Sequence, residues 1–278
     1  MLSGLALVTA LTLAGQAREP FAGADKGQAK ASGGWTPLFN GQDLDGWYTF
    51  LQEHGKNGDP DRVVTIEGGE IHLYKHAANG SKVVMGYIGT EKEFGDYHLR
   101  FQYRWGEKKF EPRFKMKRDA GLYYHILGPD AVWPRALQFQ VEQDNVGDLI
   151  ALHGLQLDTS VDPKTRDQAM PTFLGAEDGG VPRVLGGKGI AYQKHLAGEH
   201  EVDGWNTAEI IARADTTTHV LNGKVMNRGK GVRLVDAEKG GDPLPITRGR
   251  IALEIEAAEI FFRNVEIKPL DAKGGESR

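Results

Sequence analysis

Two adjoining stretches carry side chains that could do chemistry. Leu137–Glu142 reads L-Q-F-Q-V-E. Successive side chains of a strand point to opposite faces. Leu137, Phe139 and Val141 therefore make a core face, and Gln138, Gln140 and Glu142 share the other. Just upstream, Gly121–Leu127 sets Leu122, Tyr124 and Ile126 against Tyr123 and His125. A basic run of Arg113, Lys115, Lys117 and Arg118 leads into it. A sheet face with amides, a carboxylate, a histidine, aromatics and nearby cations has what a sugar-binding cleft would need. The bland alternative is the wetted side of an antiparallel sheet.

The elements that must position these groups read as strands. Tyr97–Trp105 alternates an apolar set (Tyr97, Leu99, Phe101, Tyr103, Trp105) with a polar one. Val63–Ile66 and Glu70–Tyr74 flank Gly68-Gly69, and Thr217–Met226 folds around Asn222-Gly223, both hairpin signals. Gly204–Arg213, Gly249–Glu256 and Ile260–Lys268 supply further strands. No helix pattern stands out, so the fold class is all-β, a β-sandwich. Asp158–Lys194 has little periodicity, and a segment of that length is often a lid or rim.

The chain has 278 residues, enough for one large β domain. Its 37 glycines fit a fold with many turns. The net charge of −4 gives no electrostatic case for nucleic acid. There is no cysteine, which excludes disulfides and thiolate metal sites. Leu5–Ala14 is a short apolar run followed by Gly15-Gln16-Ala17, resembling a secretory signal peptide over residues 1–17, although Met1–Gly4 carries no basic residue. The run is too short to span a bilayer. The organisation expected is a leader (1–17), a linker (18–34), one domain (35–270) and a tail (271–278). The mature protein is expected to be exported, periplasmic or extracellular, with no membrane span.

Seven segments occur in a specific order: L-F-N-G-Q-D-L-D-G-W (Leu38–Trp47), F-G-D-Y-H-L-R-F-Q-Y-R (Phe94–Arg104), K-R-D-A-G-L-Y-Y-H (Lys117–His125), W-P-R-A-L-Q-F-Q-V (Trp133–Val141), W-N-T-A-E-I (Trp205–Ile210), H-V-L-N-G (His219–Gly223) and F-R-N-V-E-I (Phe262–Ile267). Together they resemble the 3-keto-disaccharide hydrolases, also described as 3-keto-glucoside lyase/hydratases. The resemblance spans about Trp35 to Leu270. It implies a concanavalin A-like jelly roll, a sandwich of two curved antiparallel sheets with the site on the concave face. It also implies a carbohydrate substrate whose C3 hydroxyl has become a ketone, which acidifies the hydrogen on C2. A base removes that hydrogen, the glycosidic oxygen leaves C1 by β-elimination, and water adds back. Where the family pattern has a glutamate this chain has Gln138, which cannot be a base.

On that reading His125 is the first candidate base and Glu142 the second. Arg113, Lys117 or Arg118, or a divalent metal, would polarise the ketone. Trp133 and Tyr123 would stack on the sugar, and Gln138 and Gln140 would bind its hydroxyls. Asp144, Asn145 and Asp148 could form an oxygen-rich metal site, or simply a turn. Asp119 is expected to pair with Arg118 or to cap the turn. The alternative from another class is a non-catalytic, lectin-like carbohydrate-binding module. Ordinary two-carboxylate glycoside hydrolysis ranks lower, because Glu142 has no evident partner on a facing strand.

Overall fold

The computed structural model describes residues 33–235 and 241–271. The expected leader, nearly all of the linker and all but the first residue of the tail lie outside them. Ten strands position the site: β1 (Trp47–Leu51), β2 (Gly86–Thr90), β3 (Tyr97–Lys109), β4 (Asp119–Leu127), β5 (Arg135–Glu142), β6 (Leu149–Leu152), β7 (Ile190–Gln193), β8 (Asn206–Arg213), β9 (Arg248–Ile255) and β10 (Ala258–Pro269). A nine-stranded antiparallel sheet runs β7-β6-β5-β4-β9-β2-β1 and ends on Gly55–Lys56. An eleven-stranded sheet is built around β8-β3-β10. Among the described residues the helical content is one 3-10 turn, Ala176–Asp178.

The all-β, two-sheet expectation holds, but the curved jelly roll does not. Closing a sheet requires its first and last strands to pair. Here each sheet is an open path. One ends on Val181–Gly186 and Val64–Glu67, the other on β7 and Gly55–Lys56, and neither is closed or strongly curled.

The alternation read from the sequence sets the core. Leu122, Tyr124, Leu137, Phe139 and Val141 meet Leu99, Phe101, Tyr103, Ile210 and Phe262 between the sheets, all fully buried. The long 158–194 segment is not a structureless loop. It folds into the end of one strand, a second strand at Val181–Gly186, and β7.

One irregularity overturns the sequence expectation for β4. Tyr124 lies opposite Leu137 and Leu127 opposite Arg135, so β4 carries one residue more than β5 over that interval. The same offset recurs against β9. This is a β-bulge, and beyond it the two faces exchange. His125 sits in it with φ +52°, and Gly249 permits the close approach, because a Cβ there would lie 2.6 Å from the His125 backbone. Ile126, expected in the core with Tyr124, joins Tyr123 on the outer face, while His125 turns inward.

His125 is therefore not on the face with the amides. It is 1% exposed, its ring 5.3 Å from that of Tyr124 and 6.3 Å from that of Tyr97, and neither ring nitrogen has a partner. A base there has no route to a substrate. Burial drives its pKa from 6.5 down to about 4. A base depressed in the folded state binds more protons when unfolded, so its contribution to stability is lost as pH falls from 6.5 to about 4. Replacing it by an uncharged ring, His125→Phe, is expected to remove up to ~3 kcal/mol of that acid-dependent loss. Denaturant unfolding of both proteins across that window measures it, and parallel curves would count against it.

Candidate active site

The outer face of the nine-stranded sheet carries the polar groups, in rows set by strand register. In the first row Glu256, just past β9, lies opposite Asp119, and Asp119 lies opposite Glu142. Three carboxylates thus sit side by side on neighbouring strands, where like charges repel. In the second row Tyr87 lies opposite Glu254, and Gly121 opposite Gln140. The third runs Ala252, Tyr123, Gln138, Ile150, Tyr192.

Arg113 offsets the repulsion. Its guanidinium bonds Asp119 through one Nη and Glu256 through the other, the latter at 2.9 Å. The amides fix the acids. Gln140 Nε2 donates to Asp119 Oδ1 at 2.9 Å, and Gln138 Nε2 donates to Glu254 Oε2 at 2.7 Å and to Gln140 Oε1. The Tyr123 hydroxyl donates to the other oxygen of Glu254.

Asp119, Glu254 and Glu256 are each at most 7% exposed. Burial, then the Glu256 charge, pushes Asp119 up to about 9 against the pull of Arg113. Burial, Glu256 and Asp119 push Glu254 well above the usual carboxylate range, and burial raises Glu256. Glu254 and Glu256 lie two residues apart on one face, and after burial the Glu256 charge is the largest cause that raises Glu254. One guanidinium among several buried carboxyls favours retained protons. The arrangement offers an acid and a base in contact, as proton transfer near neutral pH requires.

Gly121 makes the contact over β4 possible. A Cβ at this position would lie 2.5 Å from Glu254 Oε2 and 2.6 Å from Gln138 Nε2. Gly121→Ala is expected to part that hydrogen bond and to cost ~1–3 kcal/mol. Thermal unfolding checks it, and an unchanged midpoint would show that the two side chains are not held over Gly121.

A second cluster pins the loop between β4 and β5. The Tyr48 and Tyr87 hydroxyls donate to Asp130 Oδ1 at 2.7 and 2.6 Å, and Arg250 Nη1 bonds the same oxygen at 2.6 Å. Trp133 rides on this loop, 42% exposed.

The sequence candidates divide. Arg113, Gln138, Gln140, Glu142 and Tyr123 come together. Glu142 accepts from Asn145 and is the most open of the acids. Tyr123 is fully buried, so its ring cannot stack on a ligand, and the side-chain nitrogens of Gln138 and Gln140 are committed to neighbours rather than free for hydroxyls. Lys117 is exposed, 3.5 Å from Asp144. Arg118 turns the other way from Asp119, bonding Gly106 and Gln143 and lining a cavity of about 310 Å³ with Trp105, His195 and Glu201. Asp119 pairs with Arg113, not Arg118.

Asp144 and Asp148 do not converge either, since Asp148 accepts from the backbone and Nδ1 of His195 at 2.7 and 2.6 Å. Among the described residues no group of three or more His, Cys, Asp or Glu has the geometry to hold a metal ion. A second cavity, about 550 Å³, lies beside Thr216–Thr218 on the other sheet. Neither cavity is lined by the acid cluster.

Sequence reasoning missed Glu254 and Glu256. Their signal is in R-I-A-L-E-I-E, where Arg250, Ala252, Glu254 and Glu256 alternate with Ile251, Leu253 and Ile255. Two acids spaced by two on a strand share a face.

An all-β sandwich with interlocked carboxylates on one sheet face defines the class of protein. Residues 34–268 match the family model of the 3-keto-alpha-glucoside-1,2-lyase-like domain, and the chain belongs to that family. Membership makes it one of a group of carbohydrate-active enzymes. Its fold is similar to that of a "putative glycosyl hydrolase" from Parabacteroides distasonis, with 16% identity, a TM-score of 0.51, and coverage of 85% of this chain and 99% of that one. A second "putative glycosyl hydrolase" from the same organism gives 20% identity, a TM-score of 0.50, and coverage of 86% and 94%. No curated protein matches the chain. Among the described residues no helix is long and apolar enough to cross a membrane.

Proposed function

We propose that this face cleaves 3-keto-glycosides by proton abstraction at C2, β-elimination at C1 and rehydration. Glu256 is the base. It stands against the Arg113 guanidinium at 2.9 Å, and burial strengthens it as a proton acceptor. Arg113, beside it, stabilises the enolate oxygen that forms at C3. Glu142, solvent-accessible and in the row of Asp119 and Glu256, contacts the sugar. The observation that supports this most is the pair of buried carboxyls, Glu254 and Glu256, side by side on one sheet face with Arg113 against Glu256. A lectin-like module needs stacking and hydrogen bonds but no such pair, and burying acids costs stability that binding alone does not require.

The purified protein is expected to release free 3-keto-glucose from a 3-keto-disaccharide and to leave the unoxidised disaccharide intact. Chromatography of both reactions, with and without a chelator, measures this and reports any dependence on a divalent metal. Equal cleavage of both sugars would point to ordinary hydrolysis, and binding without cleavage would point to the lectin-like alternative.

A further inference from the structure

We propose that the cavity of about 310 Å³ at the end of the sandwich is a second, non-catalytic site that binds a single pyranose sugar. It is bounded by the connection from β7 to β8 (194–205) and reaches down to Val146 and Leu221, both in the core between the sheets. It lies on the other side of β4 and β5 from the acid cluster. Arg118 and Gln143 line it, while their chain neighbours Asp119 and Glu142 face outward, as alternation along a strand requires. A molecule held here is out of reach of Glu256.

The polar groups of this cavity are held from behind. The Tyr103 hydroxyl and Trp105 Nε1 both donate to Glu201 Oε1, at 3.0 and 2.7 Å, which leaves Oε2 for a ligand. Tyr103 is fully buried. Asp148, also buried, accepts from the backbone N–H and from Nδ1 of His195. With Nδ1 as the donor, Nε2 is the nitrogen left to accept. Arg118 donates from Nε to Gln143 and from Nη1 to the Gly106 carbonyl, and its guanidinium lies 5.4 Å from the centre of the Trp105 ring, which leaves Nη2. A carboxylate oxygen, an imidazole nitrogen and a guanidinium thus line one small hollow beside an indole ring.

That lining selects among ligands. Three further carboxylates, Asp144, Glu199 and Asp203, line the cavity and repel an anion. An ammonium group has donors but no acceptor, so it offers Arg118 nothing and is repelled by it. Among the described residues no three His, Cys, Asp or Glu converge on a metal position. A pair of neighbouring sugar hydroxyls fits. Each hydroxyl both donates and accepts, so the pair can donate to Glu201 and His195 and accept from Arg118 while the C–H face of the ring rests against Trp105. The volume is at the lower end of the range for small-molecule sites, room for one ring rather than a chain.

Glucose is the probe, since without the ketone it is not a substrate of the proposed reaction. The Trp105 indole N–H reports occupancy, because its acceptor Glu201 lines the same hollow. In heteronuclear NMR, with the signal assigned by Trp105→Phe, it is expected to shift saturably with glucose in the millimolar range. Methylammonium is expected to leave it in place. Glu201→Gln keeps an oxygen for Tyr103 and Trp105 but presents an amide where the carboxylate accepted. Arg118→Met keeps the apolar stem beside Trp105 and removes the donor. Each is expected to weaken glucose binding by about tenfold or more with an unfolding temperature near that of wild type. No shift with glucose, a shift with methylammonium instead, or undiminished affinity in both variants would overturn the assignment. A wild type that fails to cleave a 3-keto-glycoside would remove the proposed function and leave this site standing, since none of its residues belongs to the acid cluster.

Discussion

Glu256→Gln is expected to slow turnover of a 3-keto-glycoside by about 10²–10⁴-fold, the usual contribution of a positioned general base. The amide is close to isosteric and can still hydrogen-bond Glu254. Arg113 keeps its bond to Asp119, so the substitution leaves the cluster a charged partner. What disappears is the carboxyl that stands two residues from Glu254 and against the guanidinium. Because the loss falls on proton transfer, kcat is expected to drop more than KM changes. Steady-state kinetics on the oxidised disaccharide, with near-ultraviolet circular dichroism as a check on folding, measures it. A folded variant within about tenfold of wild type would move the base elsewhere, with Glu142 the next candidate on the same row.

The second large effect is on stability. Arg113→Met is expected to cost ~3–5 kcal/mol, because it strips the cation from two buried carboxyls rather than removing a complete ion pair. The cost is also expected to grow with pH. Asp119 titrates near 9 in the folded protein against 3.8 as its ordinary value, so the folded state binds more protons across that interval. Stability must then fall as pH rises through it. Without Arg113 the carboxyls hold their protons more tightly still, and the fall steepens. Urea unfolding of both proteins at about pH 5 and pH 8.5 tests this, with a wider gap expected at the higher pH. The same gap at both would mean that Asp119 and Glu256 do not depend on the guanidinium.

How much of this the chain declares in advance depends on the range of the signal. Alternation is local, so β3, β4 and β5 and their core residues are legible in the sequence. So are Gln138, Gln140 and Glu142 on a common face. The bulge at His125 is not legible. It arises from the pairing of β4 with two different strands, and from a glycine at position 249 that only the fold brings alongside. One extra residue turned the most plausible base into a core residue. Glu254 and Glu256 alternate correctly in the sequence, but their partners Asp119 and Arg113 are more than a hundred residues away, and only sheet order makes them neighbours. For the same reason Gln138, read as a sugar ligand, acts as a clamp on Glu254. Sheet curvature is likewise a property of the whole pairing pattern, which is why the family-level expectation of a jelly roll of two curved sheets gave way to two open sheets.

The central claim is that the proton on C2 comes off and that one exchanged with solvent takes its place. Cleavage of a 3-keto-disaccharide in deuterated water, with the keto-sugar product read by mass spectrometry and proton NMR at early times, tests it directly. One deuterium at C2 of the released sugar, formed no slower than the sugar itself and absent without protein, is the expected result. Product that retains its original hydrogen at C2, together with no primary isotope effect on cleavage of a substrate deuterated at C2, would mean direct displacement at C1, and the acids on this face would need another role.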